Sequence, residues 1–428
     1  MENRYDKYKD SGIAWIGEIP EHWEVCKLST LFFQHKQKNN NSQESNLLSL
    51  SYGNIKRKDI NTSEGLLPES FDNYNIIDKN DIVFRLTDLQ NDKKSLRSAL
   101  CKERGIITSA YVTIRKRGNI NSSYFNYLFR VYDECKVFYG LGDGVRQGVN
   151  FDDLRKLDVL LPQQIQQQSI ATYLDQKCGE IDELITLQEE MITKLQSYKQ
   201  SVITEAVTKG LDKNVPLKDS GIEWIGEFPE HWDVKRLKYF GNNYNGLTYS
   251  PNDICNSQEG TIVLRSSNIK DNKLCFDDNV YVNKEIPTKL FVNKGDILIC
   301  SRNGSASLIG KAALIETDIK ATFGAFMMIF KGNNIHHKYL YYIVTSCISQ
   351  YKWLFTTATI NQLTSSMLGE IFAPFICDRL EQQSIANYLD QKCSEIDELI
   401  SIKQQKIEKL KDYKKSLIFE CVTGKRKV

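Results

Sequence analysis

The strongest constraint on this chain is that it is written twice. The segment KDSGIAWIGEIPEHWEVCKL at Lys9 to Leu28 returns as KDSGIEWIGEFPEHWDVKRL at Lys218 to Leu237, an offset of 209 residues with 15 of 20 positions identical. A second block, QQQSIATYLDQKCGEIDELI from Gln166 to Ile185, returns as EQQSIANYLDQKCSEIDELI from Glu381 to Ile400, an offset of 215. Self-similarity at a nearly fixed period marks a repeat architecture, here with two copies. Between the blocks, about Ser29 to Pro162 and about Lys238 to Pro374, the halves share little. Something is held constant twice while something else varies twice.

The second block predicts a very long helix. No proline occurs from Gln163 to Thr208, and Gly179 is the one glycine. Ile170, Leu174, Ile181, Leu184, Met191, Leu195, Tyr198 and Val202 fall at spacings of three, four and seven, a heptad seam. The distal copy repeats it with Ile385, Leu389, Ile396, Leu399, Leu410, Tyr413 and Leu417. Cys178, Ile185 and Ile192, with Cys393, Ile400 and Ile407, widen the two stripes. At about 1.5 Å per residue each rod runs roughly 65 Å, too long to bury its stripe alone. Two equivalent rods with a folded domain between them predict an antiparallel pair; the alternative is a helix lying along its own domain.

The divergent stretches read as mixed α/β with strands dominant, as in GDILICSR followed by Asn303-Gly304. The expected fold class is therefore α+β: two β-rich domains separated by two long helices in an antiparallel coiled coil, with an internal pseudo-twofold. The expected boundaries are residues 1–162, 163–210, 211–376 and 377–428.

Whole-chain charge says little, since 56 basic residues face 54 acidic ones. Its distribution says more. Ser29 to Pro162 holds 20 basic against 16 acidic residues and Lys238 to Ile376 holds 13 against 10, whereas Gln163 to Gly210 holds 4 against 7. The weak basic excess sits in the divergent domains. No apolar run approaches the roughly 20 residues of a membrane span, and the polar start lacks a signal-peptide core. Eleven cysteines without a Cys-x-x-Cys pair argue against zinc and against a disulfide scaffold, and suit a reducing cytoplasm.

Catalytic motifs fail one by one. Phe138 to Gly142 has the FxGxG pattern of an S-adenosylmethionine loop but follows a charged helix-like run, and no two prolines are adjacent, as an Asn/Asp-Pro-Pro-aromatic motif needs. Gly304 to Lys311 has five residues between its glycines and ends before Ala312, so it is no phosphate loop. Asp92-Lys93-Lys94 has the form of a nuclease triplet with Asp88 alone beside it, and the five histidines form no metal or triad set. A binder is expected, with no catalytic and no metal residues.

Two different domains on a fixed-length ruler suit a two-part linear target, and DNA half-sites about 34 Å apart are the obvious one. Base reading needs planar, bidentate side chains at strand ends and loops. Arg85, Gln90, Asn91, Arg97 and Tyr111 fill those places in the first domain; Arg265, Ser266, Asn268, Arg302 and Asn303 do so in the second. Lys93, Lys94, Arg146 and Lys311 suit phosphates, which position without specifying. Trp15, Trp23, Trp224 and Trp232 of the repeated motif are expected to anchor each domain against the helices, with His22 and His231 in local hydrogen bonds.

GIxWIGxxPEHWxV paired with SIAxYLDQKCxEIDELI, each present twice, resembles the specificity subunits of type I restriction-modification enzymes over essentially the whole chain. KGDILICSRNGSASLIGKAALI, DLQNDKKSLRSA, SAYVTI and YGLGDGVRQGVNF resemble parts of its target recognition domains. The stretch PFICDRLEQQ departs by lacking the Leu-Pro that opens the central helix at Leu161-Pro162. The resemblance implies double-stranded DNA as target, each domain reading one half of an asymmetric bipartite site while the helices set the spacer. It also implies two methylation subunits that bind S-adenosylmethionine, and restriction motor-nuclease subunits that use ATP and magnesium, with no cofactor on this chain. A fused restriction and modification enzyme, or a coiled-coil adaptor that binds only protein, are the rival readings.

Overall fold

A computed structural model describes residues 4–60, 70–87, 89, 96–141, 148–257, 259–355 and 361–428. The chain divides into two compact units, Met1–Glu189 with Gln404–Val428, and Glu190–Lys403. Each unit therefore holds one β-rich domain, half of the central helix Gln164–Lys209 and half of the distal helix Arg379–Val422. Among the described residues, no helix is long and apolar enough to cross a membrane.

The first unit is built on a four-stranded antiparallel sheet in the order Phe32–Gln34, Val112–Lys116, Ile82–Phe84, Ser98–Leu100. Helix Ser122–Glu134 covers it, opened by Asn121, whose side chain accepts from the Ser123 and Tyr124 amides and satisfies two otherwise orphaned donors. Its buried aromatic face meets the sheet edge-on, Phe125 against Phe32 and Phe129 against Phe84, each with centroids 5.2 Å apart.

The second unit repeats this plan despite its unrelated sequence. Its sheet runs Gly241–Asn245, Met327–Gly332, Ile297–Cys300, Ala312–Leu314, again antiparallel, under helix His337–Gln350. It also holds a second four-stranded sheet, in which Thr261–Leu264 pairs in parallel with Ala321–Phe323.

The long helices pair antiparallel inside each unit. In the first, Ile170, Ala171, Leu174, Cys178 and Ile181 share one buried cluster with Leu417, Ile418, Cys421 and Val422, and Leu410 packs against it. In the second, Val202, Ala206 and Val207 share one with Ile385, Ala386, Leu389 and Cys393. Ile396 is also buried, and Leu195 is half-buried. Leu184 and Leu399, expected in the seam, are instead 44% and 47% exposed, and Tyr198 and Tyr413 are exposed as well. The seam follows an unbroken four-three alternation from Cys178 through Ile181, Ile185, Gln188, Ile192 and Leu195, which turns Leu184 outward. Its next position is Lys199, whose equivalent 215 residues on is Lys414.

These lysines fix the register. Lys199 Nζ donates to Asp397 at 2.6 Å and Lys414 Nζ donates to Asp182 at 2.6 Å, so the two pairs exchange partners between the repeats. Only about a fifth of either lysine side chain is exposed, 20% and 19%. A single polar side chain at a seam position specifies one register among several that an apolar stripe would allow. Replacing Lys414 with Glu should set two carboxylates together and cost roughly 1 kcal/mol of stability. Adding Asp182→Lys should restore most of it, a double-mutant cycle readable by thermal unfolding.

Candidate nucleic-acid interface

The repeated blocks meet at a joint in each unit. In the first, Trp23 is fully buried beneath Gly424, whose φ of +74° demands glycine; a Cβ there would lie 2.3 Å from Pro20 Cδ and 3.3 Å from the indole. In the second, Gly210 at φ +72° covers Trp232, and a Cβ would meet the indole at 3.2 Å. Trp15 packs edge-on against Tyr132 with centroids 4.9 Å apart, and Trp224 packs on the second unit's main core.

Polar bonds at the joints also repeat. The Gln166 amide donates to His22 Nε2 at 2.8 Å, while His231 Nε2 donates to Glu381 at 3.1 Å. Glu381 also accepts from the Trp232 indole at 3.1 Å; Trp23 Nε1 has no acceptor among the described residues. Sequence reasoning missed Gln167 and Gln382, both buried, although both lie in the repeated block. Gln167 donates to Pro162 O at 2.8 Å and accepts from the Asn121 amide at 2.9 Å. Gln382 donates to Ile376 O and accepts from the His336 amide, both at 2.8 Å. Ile376 thus serves where Pro162 does, and the distal helix starts without a Leu-Pro. Tyr127 donates to Asp175 at 2.8 Å and Tyr342 to Asp390 at 2.9 Å; burial pushes both hydroxyls well above the ordinary tyrosine range, so they stay protonated donors.

The expected base readers scatter in role. Gln90, Asn91, Lys93, Lys94 and Arg146 lie outside the described residues. Arg85 is half-buried just after strand Ile82–Phe84, and Tyr111 is half-buried against the cluster of Leu48, Ile77 and Val83. Arg97 is fully buried: its amide donates to Asp133 at 2.5 Å and its guanidinium to Thr87 O at 3.1 Å. That places it inside the domain, bracing a loop, and corrects its expected surface position. Asn268 is likewise fully buried, accepting from the Arg265 amide and donating to Cys275 O at 3.0 Å and Asp278 O at 3.1 Å. Arg265 is half-buried and ion-paired to Asp278 at 2.8 Å.

Three of the expected residues converge. Asn303 donates to Ser266 Oγ at 3.3 Å, and the adjoining Arg302 is exposed, donating to Gln362 Oε1 at 2.6 Å. Gln362 was not anticipated, because its pairing with a residue 60 positions away leaves no local signal. Lys311 helps line a polar cleft of about 580 Å³ with Lys199, Lys273 and Lys338, the last paired to Asp390.

One group of metal-ligand character occurs among the described residues, His35, Asp78 and Asp81, with ligand atoms within 4.8 Å of one another. Arg115 already supplies its positive charge, donating to both carboxylates at 2.7 Å. Burial works to raise Asp78, but Arg115 and Arg104 outweigh it and hold that carboxyl below its ordinary range. A guanidinium in that position does not suit a metal.

Residues 229–412 match the family model described as the type I restriction modification DNA specificity domain. The chain is 26% identical over 440 residues to the putative type I restriction enzyme MjaX specificity subunit of Methanocaldococcus jannaschii, with 96% of each chain covered. It is 23% identical over 364 residues to the MjaVIII specificity subunit of that organism, covering 82% of this chain and 80% of the other. A solved chain from work on complex assembly and conformational transition of the type I R-M system superposes with a TM-score of 0.69 at 15% identity, covering 94% of this chain and 98% of that one. At that identity the likeness speaks for the fold.

The joints make an asymmetric prediction. Glu381→Ala removes the acceptor of a buried indole N–H and should cost about 1–3 kcal/mol. Gln166→Ala should cost less, since Trp23 has no such bond to lose. Thermal unfolding of the two variants compares them.

Proposed function

Because the chain belongs to the family of type I restriction-modification DNA specificity subunits, we propose that each of its two β-rich domains reads one half of an asymmetric, bipartite DNA site. The observation that carries this reading is one architecture used twice. The same sheet order and covering helix recur on near-identical joints, while the sequences between the joints diverge. Divergence confined to the carried domains is what two different half-sites would require. The exposed Arg302 and its neighbour Asn303 offer the bidentate and donor groups that read base edges in the major groove. Lys311 suits a phosphate contact.

In this reading the paired helices set the unread spacer and dock the partners. Each unit leaves an equivalent apolar set exposed on its helices: Leu184, Leu187 and Tyr413 in one, Leu399, Ile402 and Tyr198 in the other. Corresponding positions are 215 residues apart, which suits two copies of one methylation subunit. Those subunits would supply S-adenosylmethionine chemistry. Restriction motor-nuclease subunits would add ATP- and magnesium-dependent cleavage, acting in the cytoplasm against foreign DNA. The chain itself contributes specificity and no catalytic step.

A gel shift of the full chain on cognate and random duplex across a salt series tests DNA binding. Affinity should fall linearly in log–log form as phosphate counterions are released. A protein-only adaptor would bind neither duplex. The modular reading is tested by exchanging Ser29 to Pro162 for the equivalent segment of another specificity subunit. Methylation profiling should then find one half of the recognised site changed and the other intact. Alteration of both halves would contradict the modular reading.

A further inference from the structure

Three chain segments of the second unit are tied together by backbone at the ends of the two inner strands of its main sheet, Ile297–Cys300 and Met327–Gly332. The Ser301 and Arg302 amides both donate to Phe326 O, at 3.0 and 3.1 Å, and the Leu363 amide donates to Ser301 O at 2.8 Å. Arg302 and Gln362 form an antiparallel bridge pair. From this rigid base Arg302 projects, its guanidinium carbon 5.9 Å from the centroid of the Phe326 ring. One of its terminal nitrogens donates to Gln362 Oε1 at 2.6 Å. Phe326 is 61% exposed, a large apolar ring with most of its surface open. Among the described residues no carboxylate pairs with Arg302, in contrast to Arg265, which is neutralised by Asp278.

We infer that Arg302 and Gln362, bonded to each other beside Phe326, form one composite reader of two adjacent base pairs, with Arg302 taking guanine and Gln362 excluding cytosine at the neighbouring position. This rests on the DNA-recognition reading above. An arginine fork has five donors, so one bond to Gln362 leaves a pair of N–H groups for guanine O6 and N7. Gln362 has its carbonyl committed to Arg302, which leaves its amide N–H₂ pointing elsewhere as a donor. In the major groove adenine, guanine and thymine each offer an acceptor to such a donor, whereas cytosine offers only its own N4 donor. The Phe326 ring limits the swing of the guanidinium and offers an apolar face to a thymine methyl group.

The test is selection of bound duplexes from a randomised library by the full chain, wild type and variants, followed by sequencing. Wild type should enrich a bipartite motif with a guanine next to a position depleted in cytosine. Arg302→Ala should lose that guanine preference by roughly 5- to 100-fold and leave the other half-site untouched. Gln362→Glu keeps an acceptor for Arg302 but replaces the donor, so guanine should stay while its neighbour shifts toward cytosine, whose N4 donates to a carboxylate. Gln362→Ala should relax both positions, and serves where the glutamate variant fails to fold. If wild type enriches no motif, the DNA-recognition reading itself falls. If wild type enriches a motif and neither Gln362 variant alters it, or all sequences weaken equally, the composite reader is wrong.

Discussion

Everything in this molecule depends on two apolar seams that cannot be buried separately. Each long helix presents a stripe along more than forty residues, and the stripe becomes core only against the other copy and the adjoining domain. An all-apolar seam would tolerate slippage by a heptad. Lys199 and Lys414 remove that freedom, because each finds its aspartate in a single antiparallel register. The exchange of partners between repeats, Asp182 with Lys414 and Asp397 with Lys199, follows from duplication of one helix and makes the interface self-complementary.

The joints convert that pairing into a mount for the domains. Gln167 and Gln382 fasten the start of each long helix to the cap of the domain helix, and the glycines at the far helix ends admit Trp23 and Trp232. Above the joint the sequences share almost nothing, yet the sheet order is the same. Constant attachment with variable cargo explains why near-identical blocks survive beside unrelated ones: the blocks contact each other, and the variable sequences lie between them.

The repeat, the helices and the two β-rich domains were legible in the sequence because identical blocks and heptad spacing are properties of short windows. The phase of the seam was less so. Spacings of three and seven admit Leu184 and Leu399 as readily as Ile185 and Ile400, and only packing against a partner decides between them. Burial of polar side chains was not legible at all. Arg97 and Asn268 look like surface readers until Asp133, Thr87, Cys275 and Asp278 are brought around them by distant chain. The Arg302–Gln362 pair was half visible, since the arginine follows a clear strand while its partner arrives from 60 residues away.

The proposed ruler is the helix pair, which would measure the interval between two independently read half-sites. Its most direct test lengthens both rods by one heptad, inserted between Glu189 and Glu190 and again between Lys403 and Gln404, which keeps each seam in phase. Seven residues add about 10 Å of helix, or about three base-pair steps at roughly 3.4 Å each. Methylation profiling of cells carrying this chain should find both half-sites unchanged and the spacer lengthened by about three base pairs. Full activity on a spacer of unaltered length would show that the helices do not measure the DNA.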